Sequence, residues 1–343
     1  MLEENFSRRD GLEAAASDPG QAIASDRPPK QLAFSAAEYR ERLRKVQRDM
    51  AAQGLDALLL TVAGSVCYVT GYETLSQFNF YLAIVPRSGD PLALMRRFES
   101  YNAWLYSWLE DGQHTLLELD ADPIEETRLL LQRQGLADKK LGIEIGPLTS
   151  MPPADYLRLK GLLPHAALVD ASNLVPWVRA IKSPAEIAYH REAGRISSAG
   201  MQAAIDAARA GITDNDVAAA AAERLYKEGS EYMCYQPIVT TGRRSGVPHS
   251  TFHRVPIREG DHVFMEFGAS VCRYSSPIMR VVMIGEPTSE GRRMAETCLR
   301  SVDTMAETIK PGLVGGEVAE KCEKAMGSLP SNWLWHGYYS DPP

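Results

Sequence analysis

Two apolar runs separated by three residues constrain the fold of this chain more than any other feature. The runs, HVFMEFGAS and YSSPIMRVVMI, are rich in β-branched and aromatic residues, and they are linked by Val271, Cys272 and Arg273. Runs of this length and composition are typical of strands, so the sequence predicts a β-hairpin or meander. Glu266 lies inside the first run. A carboxylate among apolar neighbours must be paired, hydrogen-bonded or functional, because burying it alone costs free energy.

Composition and charge exclude several classes of protein. A chain of 343 residues predicts two domains, and its net charge of −7 argues against nucleic acid as the main partner, since phosphate binding needs clustered lysine and arginine. There is no apolar window of about 18 residues and no basic segment followed by an apolar core. We therefore expect a cytoplasmic protein with neither a membrane span nor a signal peptide.

The five cysteines are scattered and show no CxxC spacing, which fits reduced thiols in a cytosolic chain. Cys272 lies in the central hairpin and has the chemistry of a nucleophile. No neighbouring base is marked in the sequence, so we interpret Cys272 as a packed or exposed thiol.

The chain divides into three parts by pattern. Residues 1–33 are polar and rich in glycine and proline, which predicts a flexible segment. Ser35 and Glu38 have capping-box spacing and predict a helix over about 36–53. The next run, LDALLLTVAGSVCYVTGY, is β-rich and broken at Ala63 and Gly64. Strands and helices then alternate, so we predict an α/β domain over 34–175.

A second domain is predicted over 176–343. Ser183, Pro184 and Glu186 form a capping box with proline at the first helical position, so a long helix begins here and extends to about residue 210. An internal echo follows: a helix, a glycine turn and a second helix occur around Gly211 and again around Gly312, about 100 residues later. The echo indicates two related α–β units.

Three segments, in this order, resemble the creatinase, prolidase and aminopeptidase P superfamily, whose C-terminal domain has the pita-bread fold. They are GLDALLLTVAGSVCYVTGY, VRAIKSPAEIAYHREAGRI and GDHVFMEFGASVCRYSSPIMRVVMIG. The resemblance implies an α/β (α+β) fold with a creatinase-type N-terminal domain, followed by an incomplete pita-bread domain with a curved antiparallel sheet and flanking helices. It also implies a small-molecule substrate, and we expect a homodimer.

Metal-dependent members of that superfamily carry two aspartates in this hairpin, which bridge two metal ions together with a later histidine and two glutamates. When Gly260, Gly268 and Arg280 are aligned with that pattern, the first aspartate position holds Glu266 and the second holds Pro277. A proline ring has no donor atom for a metal. The hairpin therefore resembles the metal-free branch of creatinase and ectoine hydrolase-like proteins, and we expect no metal and no other cofactor.

The resemblance assigns roles to several residues. His249 falls where the family places a histidine that acts as general acid and base, a role that suits the imidazole group because it generally titrates near neutral pH. Glu266 would bind a cationic amidinium group of the substrate. The alternatives are a structural loop histidine at His249 and an ion pair from Glu266 to Arg273 or Arg280.

Four further residues are weaker candidates for substrate binding. Arg280 matches a family arginine and would order the site, whereas Arg243 and Arg244 precede His249 and would meet a substrate carboxylate. His336 falls where the family has its next site histidine. Two other histidines, His253 and His262, lie nearby but are less well placed.

The chain ends soon after His336, before the segment in which the family has its two glutamates. We therefore expect a truncated chain, with an open sheet edge and apolar surface that promote association. Three functions stay open. They are a metal-independent hydrolase of C–N bonds in small amidine or guanidine-type zwitterions, a metal-dependent Xaa-Pro peptidase, and an inactive relative.

Overall fold

The computed structural model describes residues 29–76, 79–146 and 149–330, and the chain separates into two compact units between Ala180 and Ile181. In the first unit the helices are α1 (Ala36–Ala52), α2 (Ala63–Thr70), α3 (Ser100–Tyr106), α4 (Pro123–Arg133), α5 (Pro153–Leu162) and α6 (Leu174–Ala180), and the strands are β1 (Ala57–Leu60), β2 (Tyr81–Pro86), β3 (Leu92–Arg96), β4 (His114–Leu117), β5 (Lys140–Ile143) and β6 (Ala167–Asp170).

The first unit is built on a mixed sheet of six strands in the order β4-β3-β2-β1-β5-β6. Strand β1 lies near its centre and pairs antiparallel with β2 and parallel with β5. All four residues of β1 are buried, as expected for a strand with helices on both faces. The α/β class predicted from the sequence is confirmed. The predicted first helix is also confirmed, with the Ser35 hydroxyl accepting a hydrogen bond from the Glu38 amide at 3.2 Å.

The first half of the β-rich run LDALLLTVAGSVCYVTGY forms β1, but the β-rich interpretation of its second half is wrong, because that half forms helix α2. Oε2 of the buried Glu144 accepts hydrogen bonds from the amides of Thr61 (2.7 Å) and Val62 (2.8 Å), immediately before the helix begins. A carboxylate at this end satisfies free amides and interacts favourably with the helix dipole. Gly71, with φ +77°, ends the helix. These contacts override the β preference of the valine and threonine side chains.

The second unit contains helices that pack on a three-stranded antiparallel sheet of order β7-β8-β9. Its helices are α7 (Pro184–Ala207), α8 (Asp214–Lys227), α9 (Ser289–Thr308) and α10 (Gly315–Met326), and its strands are β7 (Ile238–Thr241), β8 (His262–Val271) and β9 (Tyr274–Met283). The predicted capping box is confirmed at the start of α7, where Ser183 and Glu186 exchange hydrogen bonds of 3.3 and 2.7 Å.

The predicted hairpin is confirmed by β8 and β9, which pair over their whole length. Cys272 (φ 48°) and Arg273 (φ 66°) form its turn in a left-handed conformation. Such values suit glycine or asparagine better. The Glu231 carboxylate compensates by accepting a hydrogen bond from the Cys272 amide at 2.7 Å.

One face of the hairpin packs on helix α7. Met265, Phe267 and Ala269 are fully buried on this face. The hydroxyl of Ser197 in α7 accepts a hydrogen bond from the amide of Ala269 at 2.8 Å and donates one to the carbonyl of Ser276 at 2.6 Å, so it joins both strands to the helix. These contacts hold β8 and β9 against α7, so the other face of the hairpin, which carries Glu266, points away from this helix.

Strand β9 forms an edge of the sheet in the part of the chain that the structure describes. Met279 and Val281 point away from the helices and are 42% and 57% exposed. Pro277 lies directly opposite Gly268, whose carbonyl accepts a hydrogen bond from the Cys234 amide on the other side of β8. The backbone polar groups of Gly268 therefore face away from β9, and the nitrogen of Pro277 faces away from β8.

The internal echo has a structural counterpart. Gly211 (φ +91°) and Gly312 (φ +92°) lie in the turns before α8 and α10 and have almost the same φ. No helix within the described ranges is long and apolar enough to cross a membrane. Residue His336 and most of the predicted flexible segment 1–33 lie outside the described residues.

Candidate active site

A cavity of about 410 Å³ lies beside the sheet of the second unit. Side chains alternate along β8, so Glu266 faces away from the helices that bury Met265 and Phe267. The register of β7 on β8 sets Ile238 opposite Glu266. The cavity is lined by residues from β8, from β7 and the segment before it, and from the following loop: Glu266, Ile238, Tyr235, Gln236, Pro237, His249, Ser250 and Thr251.

Glu266 is half-buried at this cavity, and it is hydrogen-bonded. The phenolic hydroxyl of Tyr235 donates to its Oε1 at 2.9 Å. The alternative of an ion pair to Arg273 is not what the structure shows, because Nη1 of Arg273 lies 3.6 Å from Oε2 of Glu231 at the hairpin turn. No sequence pattern points to Tyr235, since only the register of β7 on β8 brings this tyrosine to Glu266.

His249 reaches the same cavity from an irregular loop between β7 and β8. Its φ of 55° is unusual for a residue other than glycine. Thr251, two residues later, ties the loop to the segment before β7 by donating from its hydroxyl to the carbonyl of Pro237 at 2.8 Å. The structure thus brings together the two candidate residues, His249 and Glu266, that lie 17 positions apart in the chain.

Two other candidates are not brought to this cavity. Arg280 stands opposite Met265 in the hairpin, so it faces away from Glu266; it is exposed and its Nη1 donates to the carbonyl of Met279 at 2.7 Å. Arg243 lies exposed in the 3₁₀ turn Gly242–Gly246 and does not line the cavity. The alternation of a β-strand places Arg280 on the wrong face for substrate binding in this cavity.

Cys234 lies close to Glu266 but is poorly suited to be a nucleophile. Burial, reinforced by the negative charge of Glu266, raises the pKa of the Cys234 thiol. A thiol attacks as its thiolate, so a raised pKa lowers its reactivity at neutral pH. The cavity therefore offers an imidazole, a carboxylate and a phenol for chemistry.

The donor set at the hairpin does not fit a pair of metal ions. Glu266 supplies a carboxylate, but Pro277, at the position of the second bridging aspartate in the resemblance above, has no donor atom. Among the residues that the structure describes, no group of three or more histidine, cysteine, aspartate or glutamate side chains is arranged to hold a metal ion. Tight sites for transition metals generally need three or four protein ligands.

The chain matches two protein families along most of its length. Residues 42–181 match the Creatinase/Prolidase N-terminal domain, and residues 188–341 match Metallopeptidase family M24. An ectoine hydrolase of Halomonas elongata is 29% identical over 315 residues, which cover 86% of this chain and 78% of that protein. An Xaa-Pro dipeptidase of Pyrococcus horikoshii is 25% identical over 81% of this chain and 74% of that protein.

Solved structures show the same fold. A prolidase from Thermococcus sibiricus superimposes with a TM-score of 0.76 at 22% identity, and covers 85% of this chain and 78% of its own. An Xaa-Pro dipeptidase from Bacillus anthracis gives a TM-score of 0.73 at 22% identity, with 84% and 77% covered. At this level of identity the likeness concerns the fold.

Proposed function

We propose that this chain, which belongs to the creatinase, prolidase and aminopeptidase P superfamily of M24 hydrolases, cleaves a C–N bond in a small amidine- or guanidine-type zwitterion without a metal ion. The observation that carries the proposal is the cavity that Glu266 and His249 both line. Its volume of about 410 Å³ suits a small molecule, since ligand pockets generally span roughly 300–1,000 Å³.

Glu266 would bind the cationic end of the substrate. Tyr235 donates to Oε1, so it would restrain the carboxylate and leave Oε2 available to accept from a ligand. An amidinium or guanidinium group presents parallel N–H donors to a carboxylate, and such charge-assisted hydrogen bonds are about twice as strong as neutral ones. This contact would favour the protonated form of the amidinium or guanidinium group, whose central carbon is more open to attack by water than that of the neutral form.

His249 would move the protons of the reaction. Its imidazole accepts a proton from the attacking water while the water oxygen bonds to the amidinium carbon. The same imidazole then donates that proton to the leaving nitrogen as the C–N bond breaks, and the remaining hydroxyl proton passes to the released amine, giving a neutral amide or urea and an ammonium group. Water is the only co-reactant, and the imidazole returns to its initial protonation state.

A metal-dependent Xaa-Pro peptidase is the second candidate, because several relatives and the solved structures carry that description. Pro277 weighs against this reading, since it removes a bridging ligand that a two-metal mechanism needs to clamp both ions. The ectoine hydrolase relative supports a hydrolase of a small molecule over a peptidase.

The test is to incubate the purified full chain with ectoine, a cyclic amidine that carries a carboxylate, and with creatine, a guanidine. NMR detects ring opening or urea release, and parallel reactions contain a chelator. We expect turnover of one of the two that the chelator leaves unchanged, and metal analysis that finds no stoichiometric transition metal. Two equivalents of Mn, Co or Zn per chain, with chelator-sensitive cleavage of Xaa-Pro dipeptides, would replace this proposal by the peptidase. No turnover of any of these substrates would favour an inactive relative.

A further inference from the structure

The loop that carries His249 has no regular secondary structure of its own. It joins the 3₁₀ turn Gly242–Gly246 to β8, and two of its residues other than glycine, His249 (φ 55°) and Arg254 (φ 56°), adopt a left-handed conformation. That conformation is unfavourable for residues with a side chain, so surrounding contacts must hold it. The position of His249 therefore depends on groups outside the loop.

Asp214 fixes the second half of the loop. It is the first residue of α8, its side chain is fully buried, and its Oδ1 accepts hydrogen bonds from the amides of His253 (3.2 Å) and Val255 (2.9 Å). The next residue of the helix, Asn215, accepts from the amide of Arg254 at 2.6 Å. The N-terminus of α8 thus holds three consecutive residues of the loop.

Arg244 connects this anchor to the residues next to His249. Its Nη1 lies 3.5 Å from Oδ2 of Asp214, and its Nη2 donates to the hydroxyl of Ser250 at 2.9 Å and to the carbonyl of Thr251 at 2.6 Å. A guanidinium group is flat and rigid, so contacts at its two ends are fixed relative to one another. Arg244 therefore links the N-terminus of α8 to Ser250 and Thr251 and restrains their positions relative to the helix.

We propose that Arg244, paired with Asp214, is a positioning residue that holds the loop in the conformation in which His249 lines the cavity together with Glu266. The proposal rests on the proposed function for the chemical role of His249, but the geometry it describes is independent of the substrate. The sequence predicts Arg244 as a ligand for a substrate carboxylate. Its guanidinium is instead committed to Asp214, Ser250 and Thr251.

The decisive comparison is between Arg244→Lys and Arg244→Gln. A lysine ammonium keeps the positive charge beside the buried Asp214, but it lacks the fork that reaches Asp214, Ser250 and Thr251 together. A purely structural, charge-balancing role predicts that lysine restores wild-type behaviour. A positioning role predicts that lysine restores the thermal stability lost in Arg244→Gln. It also predicts that the loop carrying His249 stays more mobile than in the wild-type protein. The exposed Arg258→Gln serves as the matched control.

The first readout is hydrogen exchange of the peptide 247–256 in the full-length protein, which needs no substrate. We expect exchange to be faster by about tenfold or more in both Arg244 variants and unchanged in Arg258→Gln. Wild-type protection of this peptide in Arg244→Lys would overturn the proposal. If Arg244→Gln does not fold, the lysine variant alone decides between the two outcomes.

The second readout uses whichever substrate the wild-type protein turns over. In Arg244→Lys we expect kcat to fall by about 10–10² with KM within about threefold of wild type, because a misplaced catalytic group mainly slows the chemical step. Unchanged kcat in this variant would also overturn the proposal. Failure of the wild-type protein to act on any tested substrate would count against the proposed function, whereas the exchange comparison would still decide the role of Arg244.

Discussion

The hydroxyl of Tyr235 donates a hydrogen bond of 2.9 Å to Oε1 of Glu266, so a phenol and a carboxylate act as one unit at the cavity. Tyr235 leads into β7 and Glu266 lies on β8, so the antiparallel register sets the distance between them. A cationic substrate would meet a carboxylate whose orientation is already fixed, which reduces the entropy lost on binding.

Replacing Glu266 tests this arrangement. Glu266→Gln keeps the size of the side chain and removes its charge, so we expect kcat/KM for the cationic substrate to fall by about 10–10², as the loss of a charge-assisted hydrogen bond predicts. Tyr235→Phe should have a smaller effect, because the carboxylate stays charged. In the double variant the loss in kcat/KM, expressed as a free energy, should be smaller than the sum of the losses in the two single variants, since the two side chains share one hydrogen bond. Independent, fully additive effects would show that the pair does not act as a unit.

Replacing His249 tests its role in proton transfer. His249→Ala should lower turnover by on the order of 10²–10⁴ without changing the circular dichroism spectrum, because the side chain is exposed and packs little. His253→Ala is the matched control. Its side chain is also exposed, and only its backbone amide contacts Asp214. Equal losses in both variants would indicate that the loop, and not the imidazole of His249, is what turnover requires.

Ser197 and Ser198 form a matched pair for the stability of the second unit. Ser197→Ala removes the hydroxyl between the amide of Ala269 and the carbonyl of Ser276, in a buried position, so we expect the free energy of unfolding to fall by about 1–3 kcal/mol. Ser198 is exposed and bonds only to the carbonyl of Gly194 in its own helix. Chemical denaturation should show little change for Ser198→Ala, and a comparable loss in both would contradict the assignment.

We expect the folding stability of the first unit to depend on pH through Glu144. Burial raises the pKa of its carboxyl group above the ordinary value, despite the hydrogen bonds from Thr61 and Val62. The folded state then binds the proton more tightly than the unfolded chain, so stability falls as the pH rises from the ordinary carboxyl range through the raised pKa.

Glu144→Gln should therefore raise the thermal midpoint of the first unit at pH 8 by a few degrees, since about 1 kcal/mol corresponds to roughly 2–4 °C in a domain of this size. The gain should disappear as the pH approaches about 4, where the unfolded carboxyl is protonated. Asp120→Asn, at an exposed position, should change nothing. A gain for Glu144→Gln that is the same at both pH values would show that burial of the charge is not its cause.

Local patterns predicted the parts of this fold that depend on neighbouring residues. The capping box of Ser183 and Glu186 and the hairpin around Cys272 and Arg273 were both found from sequence, because their contacts are short-range or follow from strand composition. Helix α2 was missed, since the Glu144 carboxylate that caps it comes from more than 80 residues away. Tertiary contacts of this kind leave no trace in a local pattern.

The residues of the candidate site also differ in whether the sequence could predict them. The family resemblance predicts His249 and Glu266 as site residues, and in the structure both line one cavity. Tyr235 could not be predicted, because its contact with Glu266 depends on the pairing of β7 with β8. Arg280 shows the limit of such a match. A match in sequence gave its position along β9, but the register of the hairpin decides which face it occupies.

Pro277 has a consequence for how such a chain can evolve. Its nitrogen faces away from β8, so a proline at this position costs the hairpin no hydrogen bond between its two strands. The pairing of β8 with β9 therefore does not distinguish an acidic side chain from proline at this position, whereas a two-metal mechanism would. A lineage can lose a bridging metal ligand at position 277 in a few nucleotide changes and keep a hairpin that folds as before.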